Sequence, residues 1–246
     1  MSKDDNNGNL VLTALDEYCS NRYHREHIFH YNIPTDFDIY RLQKFDIVLG
    51  FASEHYTDDG KGTGLFNPTW KLDPASIQWL KNLKDDYPNA RVIISIGGFD
   101  TKRPFNPSFP FNPVEKHEWI VNTVKSIKRI IHLYDYDDIH RRKNVVDGID
   151  FHFGTIKTSE DEFSYCIGEV IKLLKKDANL SINVVSIAVM EQFESYYLKL
   201  YLDNKDIIDV VDLLFYGKRF STTQEYIEFH QKIVADYAPA IVTPGL

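Results

Sequence analysis

Six short runs rich in Val, Ile and Phe recur along the chain, at 45–51, 92–96, 145–153, 182–188, 210–216 and 240–243. Apolar residues that follow one another, in place of strict alternation, mark strands covered on both faces. Helical patterns lie between most of them. Pro74 with Asp73 before it reads as a first helical position and its N-cap. Ile120, Val121, Val124, Ile127, Ile130 and Ile131 form one helical stripe within 120–133. A further helix is expected over 163–174, with Ser159 and Glu162 spaced as a capping box, and a last one over 223–237. Strand and helix in alternation mean parallel βαβ units, either a doubly wound sheet or a (β/α) barrel. Gly60-Lys-Gly-Thr-Gly64 has no strand directly before it and reads as a flexible loop, so a nucleotide-binding sheet is unsupported.

Composition narrows the function classes. The 246 residues include 36 acidic and 28 basic side chains, a formal charge of −8. That balance speaks against nucleic acid as a partner. No run of about 18 apolar residues exists, so no membrane span is expected. The N-terminal residues are polar and lack a signal peptide's apolar stretch, and Cys19 and Cys166 form no metal or redox motif. A cytoplasmic protein with reduced thiols and no cofactor is the expectation.

Two segments place polar groups inside buried strands. Ser95-Ile-Gly-Gly98 ends one of them. In Asp147-Gly-Ile-Asp-Phe-His-Phe-Gly154, residues two apart share a face, so Gly148, Asp150, His152 and Gly154 point one way. Ile149, Phe151 and Phe153 point the other way, toward covering helices. Buried polar groups are costly unless paired, and the C-terminal ends of barrel strands are where catalytic groups sit.

Together these segments resemble family 18 glycoside hydrolases, the chitinase family, with Ser-x-Gly-Gly on one strand and Asp-Gly-x-Asp-x-Asp-x-Glu on the next. More narrowly, 45–246 is similar to narbonin and related legume seed and nodule proteins. The resemblance implies a (β/α)8 TIM-barrel. It also implies that the final Glu of the motif donates a proton to the glycosidic oxygen, while the middle Asp orients the substrate's acetamide. Asp147 and Asp150 match the first two acids, His152 replaces the third, and Gly154 stands at the position of the catalytic Glu. On the strand after next, Leu214-Phe-Tyr-Gly217 keeps Tyr216 but lacks the flanking amides of plant members. No catalytic set is intact.

The expected product is therefore a non-catalytic chitinase-like barrel, serving storage or weak binding of N-acetylglucosamine-type oligosaccharides through Phe51, Tyr56, Phe99 and Tyr216. The alternative is a family 18 hydrolase with a displaced acid. Glu54, Glu160, Glu162 and Glu191 lie just beyond strand ends and otherwise read as loop or capping residues. Glu191 is the best placed of them. His24, His27 and His30 have helix-face spacing, but no ligand pattern supports a metal. The barrel is expected to be incomplete over 27–246, with its first strand at 28–31, no eighth strand, and 1–26 unassigned. Open edges invite self-association.

Overall fold

The computed structural model describes residues 23–28, 44–70, 73–98, 110–134, 136–138, 141–214 and 220–245. Seven parallel strands form the main sheet: β1 (Tyr23–Ile28), β2 (Lys44–Tyr56), β4 (Ala90–Gly97), β7 (Val146–His152), β8 (Val184–Met190), β9 (Val210–Leu214) and β10 (Ile241–Gly245), adjacent in that order. Each strand lies beside its predecessor. A doubly wound sheet reverses direction partway, so this order selects the barrel-type winding. The sheet curls into a half-barrel. Strand β3 (Gly62–Pro68) adds to the edge of β2 as an antiparallel hairpin, and β5 (Tyr136–Asp138) pairs with β6 (Arg141–Lys143) in a separate ribbon.

Helices cover the outer face. α1 (Pro74–Asp86) starts where expected, Asp73 accepting from the Ser76 amide at 2.9 Å. α2 (Lys116–His132) is capped by Glu115, which accepts from the amides of His117 and Glu118. It buries Trp119, Ile120, Ile127, Ile130 and Ile131 along the expected stripe. In α3 (Glu160–Lys176), Ser159 accepts from the Glu162 amide at 3.2 Å. α4 (Glu194–Asn204) follows a short 3-10 turn at Glu191–Phe193, and α5 (Thr223–Asp236) precedes β10. Cys166 on α3 is a free thiol, pushed up to about 12 by burial, while Cys19 lies outside the described residues.

Three expectations are corrected. Among the described residues the first strand is Tyr23–Ile28, which begins inside the segment left unassigned, while 29–31 of the expected strand lie outside the described residues. Gly60-Lys-Gly-Thr-Gly64 is not a free loop. Gly60 (φ +76°) turns the hairpin, and Gly64 (φ +73°) lies in β3 so close to α2 that a Cβ would come within 2.4 Å of the Trp119 carbonyl. Helix α4 was not anticipated, because Tyr196, Tyr197, Leu198, Leu200, Tyr201 and Leu202 run on without a single stripe.

Two apolar layers result. The larger lies between sheet and helices. The smaller, of Val48, Ile93, Val184 and Val210 with Tyr23 against it, fills the inside of the curl. Gly148 makes this inner packing possible, since a Cβ there would sit 2.2 Å from Val184 Cγ1 and 2.4 Å from its carbonyl oxygen. Gly148→Ala should therefore lower unfolding free energy in urea by about 1–3 kcal/mol. A change within error would mean that β7 and β8 can part freely.

Candidate functional site

Above the inner apolar layer sits a buried charge cluster centred on Arg25 of β1. Its side chain is 3% exposed and faces three carboxylates from three strands: Asp46 on β2 at 3.1 Å, Asp212 on β9 at 3.6 Å and Asp150 on β7 at 3.7 Å. It also donates to Ser186 Oγ at 2.9 Å. Each carboxylate is held further. Ser95 and Ser186 donate to the two oxygens of Asp150, both at 2.6 Å. Arg91 donates to both oxygens of Asp46 at 2.6 and 2.9 Å, and the Tyr23 hydroxyl donates to one of them. Thr243 on β10 donates to Asp212 Oδ1 at 2.8 Å, and His27 Nε2 lies 2.7 Å from Oδ2. Charges buried this deeply require partners on all sides.

The electrostatics follow from that wiring. Burial alone would raise Asp212, yet His27 and Arg25 bring it down to about 2. Burial lowers His152 to about 4, outweighing the attraction of Asp150. His152 is thus neutral near pH 7, edge-on to the Phe51 ring with centroids 5.0 Å apart.

The structure brings only some of the expected site residues together. Asp150 and His152 face inward as the alternation required. Asp147 faces the opposite way, where Lys84 of α1 reaches both its oxygens at 2.6 Å and the Val92 amide donates at 2.8 Å. Its role is to tie α1 and β4 to the start of β7. Gly154 lies just past β7, and a Cβ there would meet only Met190 Sδ at 3.5 Å, an ordinary contact. Phe51 is fully buried, seated against Gly98 where a Cβ would overlap its ring. Tyr56 belongs to the β2–β3 hairpin, and its hydroxyl donates to the Pro110 carbonyl at 3.1 Å. Phe99 and Tyr216 lie outside the described residues.

The spare acids separate clearly. Glu160 and Glu162 occupy the first turn of α3, as capping residues do. Glu191 is exposed in the turn after β8. Glu54 is not a loop residue: it lies on β2 at 6% exposure and accepts hydrogen bonds from the Gly64 amide and the Trp119 indole. His24 and His27 lie on a strand, not a helix, and their odd spacing sends them to opposite faces. His24 stacks on Phe45, and His30 lies outside the described residues. Among the described residues no cluster of His, Cys, Asp and Glu could hold a metal.

Sequence reasoning missed Arg25, Asp46, Ser186 and Asp212. The signal was present for two of them, since Asp46 and Asp212 each interrupt an apolar strand run.

No protein-family model matches the chain. Chitinase 1 of Tulipa saxatilis subsp. bakeri is 28% identical over 214 residues, covering 84% of this chain. The chain spans only 61–65% of the length of the curated relatives it matches. Among solved structures, a family 18 chitinase from Crocus vernus superposes with a TM-score of 0.73 at 26% identity, covering 89% of this chain and 78% of that one. Human YKL-39, described as a pseudo-chitinase with retained chitooligosaccharide binding properties, shares the fold at 15% identity and a TM-score of 0.52, over 78% of this chain and 50% of its own.

Proposed function

We propose that this chitinase-like chain, whose homologues and structural neighbours are family 18 chitinases, binds chitooligosaccharide without hydrolysing it. The observation that carries the reading is Gly154. It occupies the position that the family resemblance assigns to the proton donor, and a glycine has no proton to give. Loss of a general acid costs about 10²- to 10⁴-fold in rate. A second loss compounds it. His152 replaces the third acid of the motif, which weakens positioning of the substrate's acetamide, and burial keeps its ring neutral and edge-on to Phe51. Retained binding without turnover has a precedent among the structural neighbours in YKL-39.

The test is release of reducing ends from N-acetylglucosamine oligomers by the wild-type chain and by Gly154→Glu. A Cβ at position 154 makes only an ordinary contact with Met190 Sδ, so the variant adds the acid without a clash at its first side-chain atom. Both proteins should remain at background, because catalysis is sensitive to a misplaced partner group. Turnover by the wild type that disappears in Glu191→Gln would instead establish hydrolysis by a displaced acid. Near-family rates from Gly154→Glu would show that the acetamide is still positioned despite His152.

A further inference from the structure

Glu54 is a buried carboxyl with no part in the strand-end site. Its position joins three elements. Oε1 accepts from the Gly64 amide of β3 at 2.8 Å and from the Trp119 indole of α2 at 2.7 Å, while Tyr56, its neighbour on the same face of β2, interacts with the carboxyl. All three partners are neutral. Among the described residues, the charged groups nearby bring no compensating cation: Glu115 and Glu118 of α2 rim the shallow hollow formed with Thr57, Gly62, Thr63, Val114 and Trp119, and the Lys61 ammonium is bound to Asn112 Oδ1. His55 lies on the opposite face of β2, against Asn67.

Burial sets the protonation state. A carboxylate at 6% exposure whose partners are all neutral is costly to keep ionised, and taking up a proton removes that cost. We propose that Glu54 is a proton-operated latch fastening the β2–β3 hairpin to helix α2, tightest in acid and loosening as the pH rises to neutral. The protonated form rests among these neutral groups without a charge to solvate. The ionised form leaves an uncompensated charge there. Burial accordingly raises the carboxyl to about 7, against the pull of the Gly64, Trp119 and Tyr56 hydrogen bonds. The hairpin rises beyond the β2–β4 pairing at Ala52 and Ile96, at the same end of the sheet as His152 and Gly154. Its looseness thus sets the shape of the rim there.

The sign is fixed by linkage. A raised pKa in the closed state means that its stability is fully present below about 4.5 and is lost as pH rises to about 7. Opening of the hairpin should increase about tenfold per pH unit across that interval, then level off. Two measurements test this on the whole chain. The first is the Trp119 indole N–H resonance of the wild-type protein. It should titrate with a midpoint near 7, because the indole reports directly on Oε1. The second is amide exchange of Gly64 and Phe66, corrected for intrinsic rates. Protection should fall with pH in the wild type and stay flat in Glu54→Gln, which keeps the acceptor and stays neutral. A Trp119 resonance that is flat from pH 5 to 9, or that titrates near 4.5, would overturn the proposal even if the variant failed to fold. Equal exchange slopes in the two proteins would overturn it as well.

Discussion

Arg25→Leu should destabilise the fold by about 3–5 kcal/mol, the cost of removing one partner from a buried ion pair. Leucine keeps most of the volume, so the effect isolates charge. Without the guanidinium, Asp150 and Asp212 lose the only Arg close to them among the described residues, while Asp46 retains Arg91. Hydroxyls remain on Asp150, but they supply hydrogen bonds without neutralising charge. At about 2–4 °C per kcal/mol for a chain of this size, the melting temperature should fall by about 6–20 °C. Arg25→Lys should recover part of this, since a point charge cannot satisfy carboxylates on three strands at once. Unfolding curves for Arg25→Leu that overlay the wild type would mean that the interior is hydrated and the cluster contributes no net organisation.

Stability as a function of pH should expose two buried groups that work against each other. His152 is lowered to about 4 by burial, so the unfolded chain takes up the proton first on acidification. Its contribution is lost as pH falls from about 6.5 to 4. Glu54 is raised to about 7 by burial, so its contribution is lost in the opposite direction, as pH rises from about 4.5. Between pH 5 and 6.5 each linkage amounts to about 1.4 kcal/mol per pH unit. The wild type should be nearly flat there because the two cancel. His152→Leu should become less stable with rising pH, and Glu54→Gln more stable, each with about that slope. Chemical denaturation at four pH values checks this. Two variants with slopes of the same sign would refute the assignment of at least one group.

The sheet was legible in the sequence because parallel strands buried on both faces leave near-continuous apolar runs. The inward pair Asp150 and His152 was legible because side chains alternate strictly along a strand. The first strand was not. Tyr-His-Arg-Glu-His-Ile at Tyr23–Ile28 has no apolar run, since this strand lines the charged interior instead of a hydrophobic layer. Its partners lie far along the chain: Ser186 is 161 residues from Arg25, and Asp212 is 185 from His27. No local pattern encodes such a pairing. What the sequence did carry was its other half, aspartates within apolar runs that had to meet a cation somewhere. Glu54 was read as a loop acid for a related reason. The glycines at 60, 62 and 64 suggested a loop, whereas they are what lets β3 approach the carboxyl, a Cβ at Gly62 lying 2.4 Å from Glu54 Oε1.

Native mass spectrometry of the chain mixed with the tetramer of N-acetylglucosamine tests binding and cleavage in one measurement. The expected result is a complex whose mass increment is that of the intact tetramer, unchanged on prolonged incubation with no shorter oligomers in solution. Shorter products accumulating with time, or no complex at millimolar oligosaccharide, would contradict a chitooligosaccharide binder that does not cut.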